Sequence, residues 1–69
     1  MILFPSFAEA IRKYPVNTAR AMLGVRYSQI FEYRAGRKLP KAERLLIYSD
    51  LTEAAKQDVQ ARQAEAAAP

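Results

Sequence analysis

Four bases and no acid lie between Arg34 and Lys41: Arg34, Arg37, Lys38 and Lys41. Arg and Lys at that density beside a glycine turn supply forked donors and point charges for an anion, phosphate above all. Such a cluster also serves as an ordinary solvated face, but here it exceeds what solubility asks of a small chain. The residues that would carry other chemistry are missing. The 69-residue, 7.8 kDa chain has no Cys and no His. Disulfides, thiolate or imidazole zinc sites, and Cys–His or Ser–His–Asp nucleophiles are therefore outside its reach. It also lacks a Gly-rich phosphate loop and an acidic cluster suited to Mg²⁺. The expectation is a binding protein, not an enzyme, with no cofactor and no metal.

The charge is uneven. Residues 1–50 carry nine bases against four acids, whereas residues 51–69 carry Lys56 and Arg62 against Glu53, Asp58 and Glu65. Both glycines and every aromatic also precede residue 52. This division predicts a compact domain over 1–50 and an Ala/Gln-rich helix or flexible tail over 51–69. One small domain is the ceiling for a chain this short. The apolar run Met1 to Phe4 stops at Pro5 without a basic stretch before it, too short for a secretory h-region or a membrane span. The expected location is the cytoplasm, and the net charge of +4 favours an anionic partner.

The elements that must position the bases read as short helices. Ser6-Phe7-Ala8-Glu9 has capping-box spacing, and Phe7, Ala10, Ile11 and Tyr14 follow at one-face spacing until Pro15. Asn17 is a suitable N-cap for a second, small-residue helix over Thr18 to Leu23, which Gly24 interrupts. A third covers about Tyr27 to Ala35, with Gly36 where a left-handed residue is wanted. Pro40 opens a fourth from Lys41 to about Ser49, with Leu45, Leu46 and Tyr48 inward. Asp50-Leu51-Thr52-Glu53 can start a fifth, whose apolar stripe (Leu51, Ala55, Val59) is thin enough that it needs a partner chain or frays. The expected class is all-α, a bundle of four to five short helices.

The segment Asn17 to Leu46 then reads as a helix-turn-helix: a small-residue helix, a tight turn at Gly24-Val25, and a second helix with Ile30 and Tyr33 inward. That geometry lets one helix enter the DNA major groove while the other braces it on the backbone. Leu23-Gly24-Val25, Ser28-Gln29-Ile30, Tyr33-Arg34-Ala35-Gly36-Arg37, Leu39-Pro40 and Leu45-Leu46 together resemble the Cro/C1-type helix-turn-helix repressors of phages and their bacterial relatives. The resemblance covers about residues 17–48 and implies a lambda-repressor-like DNA-binding fold. One position departs from it: four residues before the turn glycine, where the family has a small residue, this chain has Arg20. Either a longer turn or a rotated first motif helix accommodates it.

By position, the resemblance implies that Tyr27, Ser28 and Glu32 face base edges, with Gln29 and Phe31 beside them. Gln pairs bidentately with adenine, Glu accepts from a cytosine amino group, and an aromatic ring lies against a thymine methyl. Arg26, Arg34, Arg37, Lys38 and Lys41 are the implied phosphate contacts, giving affinity and register without sequence information. Tyr27 and Phe31, four apart, equally suit the core or a dimer contact. The expected function is a sequence-specific double-stranded-DNA-binding transcriptional regulator of the phage-repressor type. It would act as a homodimer on a pseudo-palindrome, since one helix reads too few base pairs to find a single site. The Met1–Phe4 arm and the tail stripe are the candidate dimer surfaces. Two other readings stand beside it: a helical adaptor for a protein such as a polymerase subunit or another regulator, and an excisionase-like, architectural DNA-bending protein.

Overall fold

Each of five helices contributes at least one side chain to a single core, in a computed structural model that describes residues 2–67. The helices are α1 (Pro5–Arg12), α2 (Val16–Leu23), α3 (Tyr27–Arg34), α4 (Ala42–Leu45) and α5 (Ser49–Ala67). There is no strand among the described residues, so the architecture is a small all-helical bundle. Phe7, Ala10 and Ile11 of α1 meet Ala19 and Leu23 of α2, Ile30 of α3, Leu45 of α4 and Leu51 of α5. Side chains recurring three and four apart on α1 fall on one face, which explains how eight residues bury that much. Helix α1 is the hub, packing on α5, α3 and α2.

The start of α1 differs from the expected capping box. No side chain of the first turn caps it, and Glu9 is exposed. Its free N–H groups are met from across the bundle: Asp58 Oδ1 accepts from Ser6 N–H at 3.0 Å, and Oδ2 accepts from Phe7 N–H at 2.8 Å. Asp58 is only 3% exposed. A carboxylate there satisfies two orphan donors and sits at the positive end of the helix dipole, a stronger device than Ser6–Glu9 would have been.

Helix α5 runs antiparallel to α1. Asp50 in its first turn accepts from the Tyr14 hydroxyl just past the end of α1, Asp58 meets the start of α1, and the Arg62 guanidinium lies 5.5 Å from the Phe4 ring centroid. Of the tail stripe, Leu51 is therefore buried by its own chain, Ala55 is half-buried and Val59 stays 41% exposed. Leu51 is fully buried and Ala54 and Ala55 pack against the core. The expected division after residue 50 falls inside α5, and of the two forms expected for 51–69 the chain takes the helix, which continues to Ala67. At about 1.5 Å per residue, a 19-residue helix outruns its eight-residue partner by several turns, which accounts for extents of 42 × 25 × 18 Å.

The N-terminal arm is also folded back. Leu3 and Phe4 N–H both donate to the Gly36 carbonyl at 2.9 Å. Gly36 has φ +74°, and a Cβ there would meet Ile2, the Phe4 carbonyl and Ala8 at 2.9 to 3.2 Å, so close approach and backbone conformation both require glycine. Phe4 is half-buried beneath Arg62 and Ile2 is 59% exposed, whereas Met1 lies outside the described residues.

Helix α4 is shorter than expected, four residues in place of about nine. Leu45 points inward and Tyr48 is half-buried, but Leu46 is 72% exposed, contrary to the inward position the sequence suggested. The Thr52 hydroxyl donates to the Leu45 carbonyl and closes the corner into α5.

Candidate nucleic-acid interface

The turn between α2 and α3 is built on Gly24, which takes φ +64°. Val25 N–H donates to the Arg20 carbonyl at 3.2 Å and Gly24 N–H to the Ala21 carbonyl at 3.3 Å, the paired bonds of a Schellman motif. These satisfy the last carbonyls of α2 and turn the chain sharply into α3. The small residue buried on α2 is Ala19, while Arg20 is exposed. The unusual Arg20 is thus accommodated by using Ala19 as the packing position, and the turn itself stays tight.

Helix α3 starts after Arg26, whose backbone N–H donates to Gln29 Oε1 at 3.2 Å. Ile30 is fully buried, and Tyr33 and Arg34 are half-buried on the same side. At 100° per residue the opposite face is centred on Ser28 and Glu32, with Phe31 along one edge and Gln29 along the other. Ser28, Gln29, Phe31 and Glu32 therefore lie on the outward half of the helix, whereas Tyr27 sits nearer the Ile30 side and is exposed at the first turn. Tyr27 is 59% and Phe31 47% exposed, and their rings meet edge to face with centroids 5.2 Å apart. That pairing holds both rings in place while leaving an apolar surface in solvent. Gln29 spends its amide oxygen on the helix start, so a bidentate adenine contact requires that bond to be released.

The expected phosphate ligands divide into two groups. Arg26, Lys38 and Lys41 are exposed and have no ion-pair partner among the described residues. Arg37 pairs with Glu32 at 3.5 Å, with both side chains well exposed, a contact worth about 0–1 kcal/mol that a phosphate can displace. Arg34 is engaged elsewhere. Its Nη1 donates to the Tyr14 carbonyl at 3.2 Å and its own carbonyl accepts from Arg12 Nε at 2.7 Å, tying the ends of α1 and α3 together. Sequence reasoning missed Arg44: a Cβ added at Gly24 would come within 2.5 Å of its guanidinium, which places that cation over the turn, beside Lys41 and Tyr33. The spacing of Lys41 and Arg44, three apart at the start of α4, was the available signal.

No helix of the described residues is long and apolar enough to cross a membrane. No protein-family model matches the chain, and no curated protein or solved structure is significantly similar to it.

Proposed function

We propose that the chain is a sequence-specific double-stranded-DNA-binding regulator of the phage-repressor kind, with α2 and α3 as a helix-turn-helix and α3 as the helix that enters the major groove. It acts as a homodimer by occupying a pseudo-palindromic operator, without cofactor or catalysis. The observation that supports it best is the outward face of α3. Ser28, Gln29, Phe31 and Glu32 lie on it with Tyr27 exposed beside them, and it follows a turn closed by Gly24 and flanked by the exposed bases Arg26, Arg37, Lys38 and Lys41. A helix is about the width of the major groove, and hydroxyl, amide, carboxylate and aromatic groups are the types that read base edges there. The bases at either end of the face suit the two phosphate ridges that border the groove.

The exposed Tyr27–Phe31 pair favours one other reading, an adaptor that docks this face on a protein. Salt separates the two. Titration of the chain with a random-sequence duplex at several salt concentrations tests the reading directly. Binding that neutralises phosphates loses affinity steeply, by a log–log slope of about −0.9 for each contact made. No duplex binding at low salt would contradict the DNA reading and leave the aromatic pair as the functional feature.

A further inference from the structure

Helix α5 carries a second stripe beside the one that faces the core. Leu51 and Asp58, seven apart, are buried, whereas Thr52, Lys56, Val59 and Gln63 follow at three- and four-residue steps along a neighbouring face. That second stripe is one wall of an apolar groove of about 620 Å³, and Leu39, Pro40 and Leu46 form the other. Helix α4 ends after one turn and leaves the groove open, with Leu46 and Val59 both exposed in it. Apolar side chains gathered around one concavity mark an interaction surface more than scattered surface leucines do.

We propose that this groove holds an amphipathic helical segment of a different protein, about three turns long, whose apolar face carries an acidic residue at its edge set against Lys56. Two observations choose that occupant. The first is shape. At about 1.5 Å per residue, the wall from Thr52 to Gln63 runs about 16 Å, the length of three helical turns. A helix laid in such a cleft fills it with side chains at i, i+4 and i+7, whereas an extended peptide needs a free sheet edge, and there is no strand among the described residues. The second is charge. Lys56 is the one charged side chain that lines the groove, and it has no ion-pair partner among the described residues. Glu43 and Glu53 adjoin the lining residues Ala42 and Thr52 in sequence but do not line the groove themselves. A second copy of α5 seated there would set base against base, so the groove does not supply its own complement, and the acid comes from another chain.

The groove uses none of the residues on the outward face of α3, so this proposal goes beyond the DNA reading and is tested without DNA. The probe is a fluorescein-labelled, lactam-stapled alanine-based helix of about fourteen residues, with Leu at i, i+4 and i+7 and Glu beside the central Leu. Two controls carry Lys in place of that Glu, or Ser in place of the three Leu. Fluorescence anisotropy with the full chain is expected to show saturable binding of the Glu peptide, weaker binding of the Lys peptide by about two- to fivefold, and none of the Ser peptide. Leu46→Asp and Val59→Asp, at side chains the fold leaves exposed, are each expected to raise the dissociation constant about tenfold or more with circular dichroism and melting unchanged. Lys56→Glu is expected to reverse the preference, so that the Lys peptide binds the better of the two. No saturable binding of the Glu peptide, or equal binding of the Glu and Lys peptides, would overturn the proposal. Binding indifferent to Leu46→Asp and Val59→Asp but lost in Tyr27→Ala would overturn it too, by moving the contact to α3. Sedimentation equilibrium showing a dimer that Val59→Asp dissolves would likewise overturn it and give the groove to a second copy.

Discussion

The seam between α1 and α5 and the outward face of α3 handle polar groups in opposite ways. Along the seam, polar side chains are spent on the fold itself. Asp58 holds the start of α1 from 51 and 52 residues away in sequence, Tyr14 donates to Asp50, and Arg62 lies against Phe4. On the outward face of α3 the polar contacts are local or weak: Gln29 reaches back three residues, and Glu32 meets Arg37 across a solvated 3.5 Å. An aromatic pair there stays in solvent. Polar groups of the seam reach across the bundle to another element, whereas those on the outward face of α3 are exposed and only lightly engaged. By that measure the α1–α5 seam is scaffold, and the outward face of α3 is left free for the role proposed for it.

Substitutions that break the seam are expected to cost stability, and those on α3 to cost recognition only. Leu51→Ala is the largest, about 2–5 kcal/mol of unfolding free energy in a chemical denaturation series, because Leu51 is fully buried in the common core. A loss under about 1 kcal/mol would mean that the C-terminal third is the appendage its composition suggested. Asp58→Ala is next, at about 2–3 kcal/mol, since it removes two charge-assisted hydrogen bonds and leaves the Phe7 N–H buried without a partner. Asp58→Asn is expected to lose less, as the amide oxygen still caps one donor.

On the other region, Glu32→Ala is expected to relax base preference at one position by about 1–3 kcal/mol while melting temperature stays the same, and Gln29→Ala to do likewise with a small loss in the melt, since it also removes the bond to the Arg26 N–H. Equal weakening across all sequences, read by competition with single-base operator variants, would remove them from base reading. Arg37→Ala is expected to weaken every duplex alike and to flatten the salt slope by about one. Arg34→Ala sharpens the contrast: its guanidinium ties α3 to α1, so its loss is expected to appear in the melt.

The smallest effect concerns pH. The Tyr14 hydrogen bond holds the Asp50 carboxyl below its ordinary value, helped by the Leu51 backbone N–H and the nearby Lys13. The same bond raises the Tyr14 hydroxyl. A depressed carboxylate contributes stability that is present above its unfolded-state value and is lost as pH falls through the folded one. Melting temperature is therefore expected to decline slightly on acidification below about pH 4, where aspartates in unfolded chains titrate. Tyr14→Phe is expected to remove most of Asp50's share of that decline. An identical acid profile in Tyr14→Phe would show that the bond carries none of it.

Much of the fold was legible because it is written in local spacing. Phe7, Ala10 and Ile11 mark the buried face of α1, and Gly24 and Gly36 mark the two left-handed turns. What escaped depends on residues far apart in the chain. Asp58 occupies the apolar stripe of α5, seven residues after Leu51, and reads as a solvated charge until the start of α1 is placed against it. With that position discounted, α5 looked too weakly amphipathic to pack. Likewise, the spacing of Leu45, Leu46 and Tyr48 does not reveal that α4 ends after one turn and leaves Leu46 outside. Of the candidate interface, the residues on α3 were implied by the resemblance alone, and neither the commitment of Arg34 to α1 nor the placing of Arg44 over Gly24 follows from local pattern.

Selection of bound duplexes from a random pool at near-physiological salt, followed by sequencing, tests the central claim most directly. The account predicts an enriched inverted repeat with half-sites about ten base pairs apart, the spacing at which two α3 helices related by a two-fold axis enter successive turns of one groove. A pool that emerges without enrichment would contradict it, leaving only charge-driven contact and making the Tyr27–Phe31 face a surface for a protein.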